Sequence, residues 1–358
     1  MIYFRRLDSL RFIAFFLVFW AHLFNTFNFD AITDSANLKT FFHALVNTGG
    51  MGVHLFFVLS GFLITYLLIR EHKTNGKIHV GKFYIRRILR IWPLYYLVFL
   101  SGIFILPYLF NSFYFDGSIA KNLLMLNNFD VLESSNRINM VIGWSVAIEE
   151  QFYVFWPICF LLLFKRKLLL LFCCIACILS MFFIVFSEGI TYFHTFANIN
   201  YLMIGCIGAI LYTNYKDYIS SRLMNRSLFV ANIVIIVIVL IVIGMYPSIH
   251  LIALVLPVNY LLLILYLVDA ESGGKPSLIS RLGKYTYGMY MYHAIFLILT
   301  RIIFDKLQLY YELDILLLTL VGIISLSITI LVSVLSYKYF EKPFLLLKNK
   351  FTIVKTRT

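Results

Sequence analysis

Apolar runs of about twenty residues follow one another along nearly the whole 358-residue chain, and the charged residues sit between them. A run of that length crosses the ~30 Å hydrocarbon core of a bilayer as a helix, so the pattern dictates a polytopic membrane protein. Composition agrees: 61% of the residues are hydrophobic and only 13% charged, roughly half the charge density of an ordinary soluble domain. The aromatic residues, among them 36 Phe and 24 Tyr, follow no alternating ten-residue pattern, which excludes a membrane β-barrel. Spans are predicted at about 11–28, 47–69, 88–110, 144–164, 168–187, 195–213, 228–245, 249–268, 285–304 and 314–338. The expected fold is an all-α, polytopic membrane helix bundle of about ten transmembrane helices. Residues 1–345 form one transmembrane domain and 346–358 a basic cytoplasmic tail.

A formal charge of +13 would suit a nucleic-acid binder, but the Lys and Arg fall in clusters between apolar runs rather than on one soluble face, so no nucleic-acid partner is expected. Counted by alternate loops, 25 of the 30 lie on the side of the termini, and only Lys39, Lys121, Arg137, Arg301 and Lys306 lie opposite. The positive-inside rule then puts both termini in the cytoplasm. No small-residue cleavage site follows Arg5, Arg6 and Arg11, so the first helix reads as retained. The five cysteines sit in or beside apolar runs and read as packing residues, with no metal site expected.

Ionisable groups inside spans cost about 2.5–3.5 kcal/mol each, so the few present mark a cavity or a pathway. His22 follows Arg11 by eleven residues, which places it about 16 Å into the core, near the midplane. An imidazole there serves as a structural donor, a proton relay or a general base. Arg86, Arg87 and Arg90 open the third span, with Arg90 sharing a helix face with each of the other two. They form either a snorkelling anchor or an anion clamp, since guanidinium forks match phosphate oxygens. Glu149 and Glu150 lie in the outer half of the fourth span and point about 100° apart, so one can face a cavity while the other faces the rim. Gly49, Gly50, Gly52, Ser60 and Gly61 on the second span allow close helix packing or room for a thin substrate. Tyr287, Tyr290 and His293 make a polar stripe that runs from the interface into the core. No Walker loop, dinucleotide fingerprint, HExxH or GxSxG is present, so any chemistry comes from side chains converging within the bundle.

Six segments in order, RLDSLRFIAFFLVFWAH, GVHLFFVLSGF, RRILRIWPLYY, WSVAIEEQFY, YTYGMYMYH and YFEKPF, resemble the motifs of the membrane-bound acyltransferase family 3 from about Arg5 to Pro343. Two positions depart from its pattern: His54, often acidic in the family, and Tyr292, often Trp. The resemblance implies an O-acyltransferase, most often an O-acetyltransferase, in the bacterial inner (plasma) membrane. The donor would be cytoplasmic acetyl-CoA or another acyl-CoA. The acceptor would be a sugar hydroxyl of a surface polysaccharide such as O-antigen, free or lipid-linked. Carried onto this chain, it makes His22 and Glu149 catalytic, with His22 as base and Glu149 orienting it. Arg87, Arg90, Arg11 and Arg86 would hold the acyl-CoA. Trp144, Ser145, Glu150, Tyr290 and His293 would line the acceptor site. Other acceptors within the family, peptidoglycan or a small glycosylated metabolite, are the first alternative. A transporter of acyl donor or glycan is the second, although the chain lacks the paired halves that many transporters carry.

Overall fold

The computed structural model of the chain describes residues 4–27, 35–110, 117–133, 142–163, 165–187, 192–223, 225–246, 252–270, 275–308 and 314–353. Every regular element among them is helical. In chain order these are α1 (Arg5–Thr26), α2 (Ala36–Asn75), α3 (Val80–Leu100), α4 (Leu106–Leu109), α5 (Ile119–Leu123), α6 (Asn127–Glu133), α7 (Gly143–Leu162) and α8 (Arg166–Phe186). They continue with α9 (Thr195–Leu223), α10 (Arg226–Met245), α11 (Ile252–Asp269), α12 (Leu278–Gly283), α13 (Thr286–Lys306), α14 (Ile315–Ser336) and α15 (Lys342–Asn349). Single π-helical turns, Ser101–Ile105 and Tyr337–Glu341, carry α3 into α4 and α14 into α15.

Nine helical stretches among the described residues are long and apolar enough to cross a membrane, and the protein is a multi-pass membrane protein. The remaining expected span, 249–268, is α11, whose apolar described stretch, Val255–Asp269, is shorter than a full crossing. Residues 247–251 before it lie outside the described residues, as do Arg137 and the Lys355 and Arg357 of the expected tail.

Helix α2 departs most from its expected bounds of 47–69. Its 40 residues make a rod of about 60 Å, twice the thickness of the hydrocarbon core. Hydropathy reports only its apolar middle; the polar flanks are helical but need no lipid. The helix stops at Gly76, whose φ of 69° is left-handed and favours glycine, with its N–H bonded to the His72 carbonyl. His72 and Lys73 in the last turn complement the negative end of the helix dipole.

This rod is the centre of the bundle. Within its apolar window 78% of the residues are buried, against 22% for α8 and for α10, so those two are the lipid-facing edge. The glycines of α2 explain its position. A methyl group on Gly49 or Gly52 would run into the backbone of α1 at Leu17, Ala21 and Ala14. One on Gly61 would meet the Leu202 carbonyl of α9, and Gly205 of α9 meets Val58 and Phe62 in return. Lipid tails are as apolar as leucine, so such close van der Waals contact is what holds membrane helices together. The glycines are therefore packing surfaces, and Ser60, next to Gly61, faces the other way.

Several charged segments gather at one end of the bundle. The Ser280 hydroxyl of α12 donates to the Arg5 carbonyl at 3.0 Å, joining the start of α1 to the segment before α13. Arg86 of α3 donates to the Phe351 carbonyl just after α15, also at 3.0 Å, and to Glu71 near the end of α2 at 2.9 Å. Glu71 also accepts from the His79 backbone N–H. These segments all belong to the side on which the charge count collects Lys and Arg.

Candidate active site

From this charged end a cavity of about 600 Å³ runs inward between α1, α2, α3, α7, α13 and the C-terminal helices. Its mouth carries Arg5, Arg11, Arg86, Arg87, Arg90, Arg281, Lys284 and Lys348, opposed by Asp8, Glu71 and Glu341. Deeper in, Phe56, Leu63, Ile64 and Val146 make the wall apolar, with Ser60 and Glu149 as polar insertions. At its inner end stand Ser145 and Tyr290, whose hydroxyls are 2.6 Å apart.

The four arginines expected to hold the donor divide into two kinds. Arg11 pairs with Asp8 one turn earlier on α1, at 2.6 Å. Arg86 spends its guanidinium on Glu71 and Phe351. Arg87 and Arg90 make no hydrogen bond or ion pair with any described residue; Arg87 lies over the rings of Phe83 and Tyr153, and its Nε is buried without an acceptor. A buried guanidinium N–H without a partner forfeits a charge-assisted hydrogen bond, a deficit that an anion entering the mouth would fill. All three arginines of α3 line the cavity, and the division comes from their neighbours: Glu71 and the Phe351 carbonyl are bonded to Arg86.

The adjacent carboxylates divide in the same way. Glu149 enters the cavity and accepts from the Ser60 hydroxyl at 2.6 Å and from the Tyr153 hydroxyl at 2.9 Å. Glu150 turns away from it, buried against α3, where Trp92 Nε1 donates to it at 2.9 Å. Glu150 is thus not among the residues lining this cavity. Trp144 is also removed from it. It is 4% exposed and packed by the rings of Phe57, Tyr192 and Phe193. Ser145 and Tyr290 line the cavity.

His22 and Glu149 do not meet. Glu149 has its contacts on α2 and α7, whereas His22 Nδ1 lies 2.8 Å from His293 Nε2. The expected pairing followed from hydrolase triads; the structure sets Glu149 against Ser60 and Tyr153 in the cavity wall, and the imidazole finds another imidazole instead. His293 is fully buried with both ring nitrogens engaged, Nδ1 at 2.7 Å from the Tyr290 carbonyl and Nε2 on His22. The histidine pair lies one turn of α13 beyond Tyr290, about 5 Å past the inner end of the cavity.

Sequence reading gave several polar cavity residues no catalytic or binding role, four of them close to the candidate site residues or the mouth. Ser60 was hidden in a small-residue stretch, and Tyr153 was one more aromatic in an aromatic helix; its place four residues after Glu149 was the available signal. Lys348 belonged to the expected tail, yet it is 7% exposed and lines the mouth. Glu341 follows from the π turn that re-aims the end of α14. Among the described residues no cluster of His, Cys, Asp and Glu could hold a metal ion.

The bundle thus joins a cation-lined mouth, an apolar bore and, one helical turn beyond it, a pair of imidazoles. Residues 4–338 match the family model described as an acyltransferase domain, and the chain belongs to this acyltransferase family. A putative O-acetyltransferase of Staphylococcus aureus (strain COL) is 29% identical over 351 aligned residues, covering 83% of this chain and 53% of that protein. The peptidoglycan O-acetyltransferase OatA of Listeria monocytogenes is 34% identical over 134 residues, 33% of this chain and 20% of that protein. The putative peptidoglycan O-acetyltransferase YrhL of Bacillus subtilis is 34% identical over 124 residues, 31% and 19% respectively. The chain spans about half the length, or less, of these relatives. No solved structure matches it.

Proposed function

We propose that the protein is a plasma-membrane O-acetyltransferase that moves an acetyl group from cytoplasmic acetyl-CoA to a sugar hydroxyl of an envelope glycan, with His22 as general base. One observation carries the reading: two guanidiniums without a hydrogen bond or ion pair among the described residues, Arg87 and Arg90, stand at the mouth of a cavity whose inner end comes within one helical turn of an imidazole. Phosphate groups of the donor suit those forks, with Lys348 beside them as a third cation. The bore between Phe56, Leu63 and Ile64 suits a narrow, amphipathic pantetheine arm, for which Ser60 and Glu149 offer polar contacts. The charge count favours a cytoplasmic mouth.

A sugar hydroxyl is a weak nucleophile until its proton is removed. As the acceptor oxygen bonds to the thioester carbonyl carbon, its proton passes to His22 Nε2. The carbon–sulfur bond then breaks, and the same proton goes to the departing sulfur. Glu149, too far from His22 to orient it, acts on the bound donor or acceptor. The names of the Listeria and Bacillus relatives favour peptidoglycan as acceptor over O-antigen.

Purified full-length protein in lipid nanodiscs, given radiolabelled acetyl-CoA with peptidoglycan strands or lipid-linked O-antigen-type oligosaccharide, tests this. Base-labile label on the glycan is expected, first on peptidoglycan. Tight acetyl-CoA binding without label on any glycan would overturn the reading.

A further inference from the structure

Resting on the assignment of His22 as general base, the geometry points to His293 as a positioning residue that fixes the tautomer of His22, anchored in turn by the backbone carbonyl of Tyr290. The chain of inference starts at that carbonyl, which accepts hydrogen bonds and has no proton to give. His293 Nδ1 lies 2.7 Å from it, so Nδ1 carries the hydrogen. His293 is 0% exposed, its ring held edge-on by Phe15 and tilted against Phe19. A second proton on this ring would bury a charge with no carboxylate bonded to it, so His293 is neutral and its Nε2 holds a lone pair.

That lone pair faces His22 Nδ1 at 2.8 Å. The two ring planes are parallel to within 2°, with centroids 5.0 Å apart. The centroid separation exceeds the nitrogen–nitrogen distance by about two ring radii, the arrangement of an in-plane hydrogen bond rather than of stacked faces. His22 therefore donates through Nδ1, and its own lone pair falls on Nε2. Nε2 makes no hydrogen bond with any described residue and is open to an incoming hydroxyl.

Free imidazole prefers its hydrogen on Nε2, the form that would offer the acceptor a donor instead of a base. His293 reverses that preference. Because the chain ends on a carbonyl, it orients without relaying: the proton taken from the acceptor stays on His22 until the thiolate of CoA takes it. While His22 carries that extra proton, its Nδ1–H still donates to His293.

The test uses full-length protein in nanodiscs with ¹⁵N-labelled histidine, the His22 signals being assigned by their loss in His22→Gln. Resting wild-type protein should carry hydrogen on His22 Nδ1 and none on Nε2. His293→Leu, which removes the acceptor, should move the hydrogen to Nε2. It should also lower kcat on the order of 10²-fold at unchanged acetyl-CoA affinity. His293→Gln, whose Oε1 can accept from Nδ1–H, should recover most of the rate. A hydrogen on His22 Nε2 in the wild type overturns the proposal, and so does wild-type kcat in His293→Leu; if that variant fails to fold, the wild-type spectrum decides alone. Undiminished transfer by His22→Ala would instead remove the general-base reading, while the resting tautomer would still report on His293.

Discussion

The two ends of the cavity solve opposite problems. The mouth is charged and redundant: eight Lys and Arg line it, some bound to carboxylates and some free, and it recognises by summed attraction. Just beyond the inner end the structure is uncharged and singular, a line of hydrogen bonds from a carbonyl through two imidazoles. A charged mouth tolerates the loss of a member because its neighbours still attract. A neutral chain does not, because a missing acceptor changes which atom holds the hydrogen. Changes at the mouth should therefore be graded and appear in donor affinity. Changes at the inner end should be near all-or-none and appear in turnover.

His22→Ala is the strongest attempt to break this contrast. It should lower acetyl transfer by about 10²- to 10⁴-fold, the usual contribution of a general base, while acetyl-CoA affinity by calorimetry stays within a factor of two or so. A matching loss of affinity would place His22 on the donor. Next in size, Arg87→Ala and Arg90→Ala should each weaken acetyl-CoA binding roughly 10- to 100-fold, the equivalent of about 1.5–3 kcal/mol for a hydrogen bond to a charged group. Their kcat at saturating donor should hardly move, and added salt should narrow the difference from wild type. Unchanged affinity in both would make them membrane anchors. Smallest for binding is Arg86→Ala. It leaves Glu71 buried without its guanidinium partner, so a lowered melting temperature is expected with only a few-fold loss of affinity. An effect on affinity as large as that of Arg87→Ala would erase the distinction between paired and free arginines.

Much of this was legible in the sequence, for identifiable reasons. Apolar run length is a direct consequence of bilayer thickness, so the spans stood out; only polar helix beyond the membrane, as at both ends of α2, was invisible to it. The spacings Arg87–Arg90 and Glu149–Glu150 survive because they lie on single helices, where sequence separation fixes angle. Which of each pair faces the cavity depends on how the helix is rotated in the bundle. The partner of His22 was hidden most completely, lying 271 residues away on a helix whose neighbours no local pattern reveals. Analogy with hydrolases supplied a carboxylate there, and packing supplied a second histidine.

The bond from Arg86 to the Phe351 carbonyl has a consequence for biogenesis. It fastens residues after α15 to the start of α3, and α15 itself contributes Leu345 and Lys348 to the cavity wall. During synthesis the first helices enter the bilayer while this wall is still missing. The mouth stays open on one side until residues 342–351 have emerged and docked, so a nascent chain halted before that point has its histidines and arginines but no finished pocket to hold a donor.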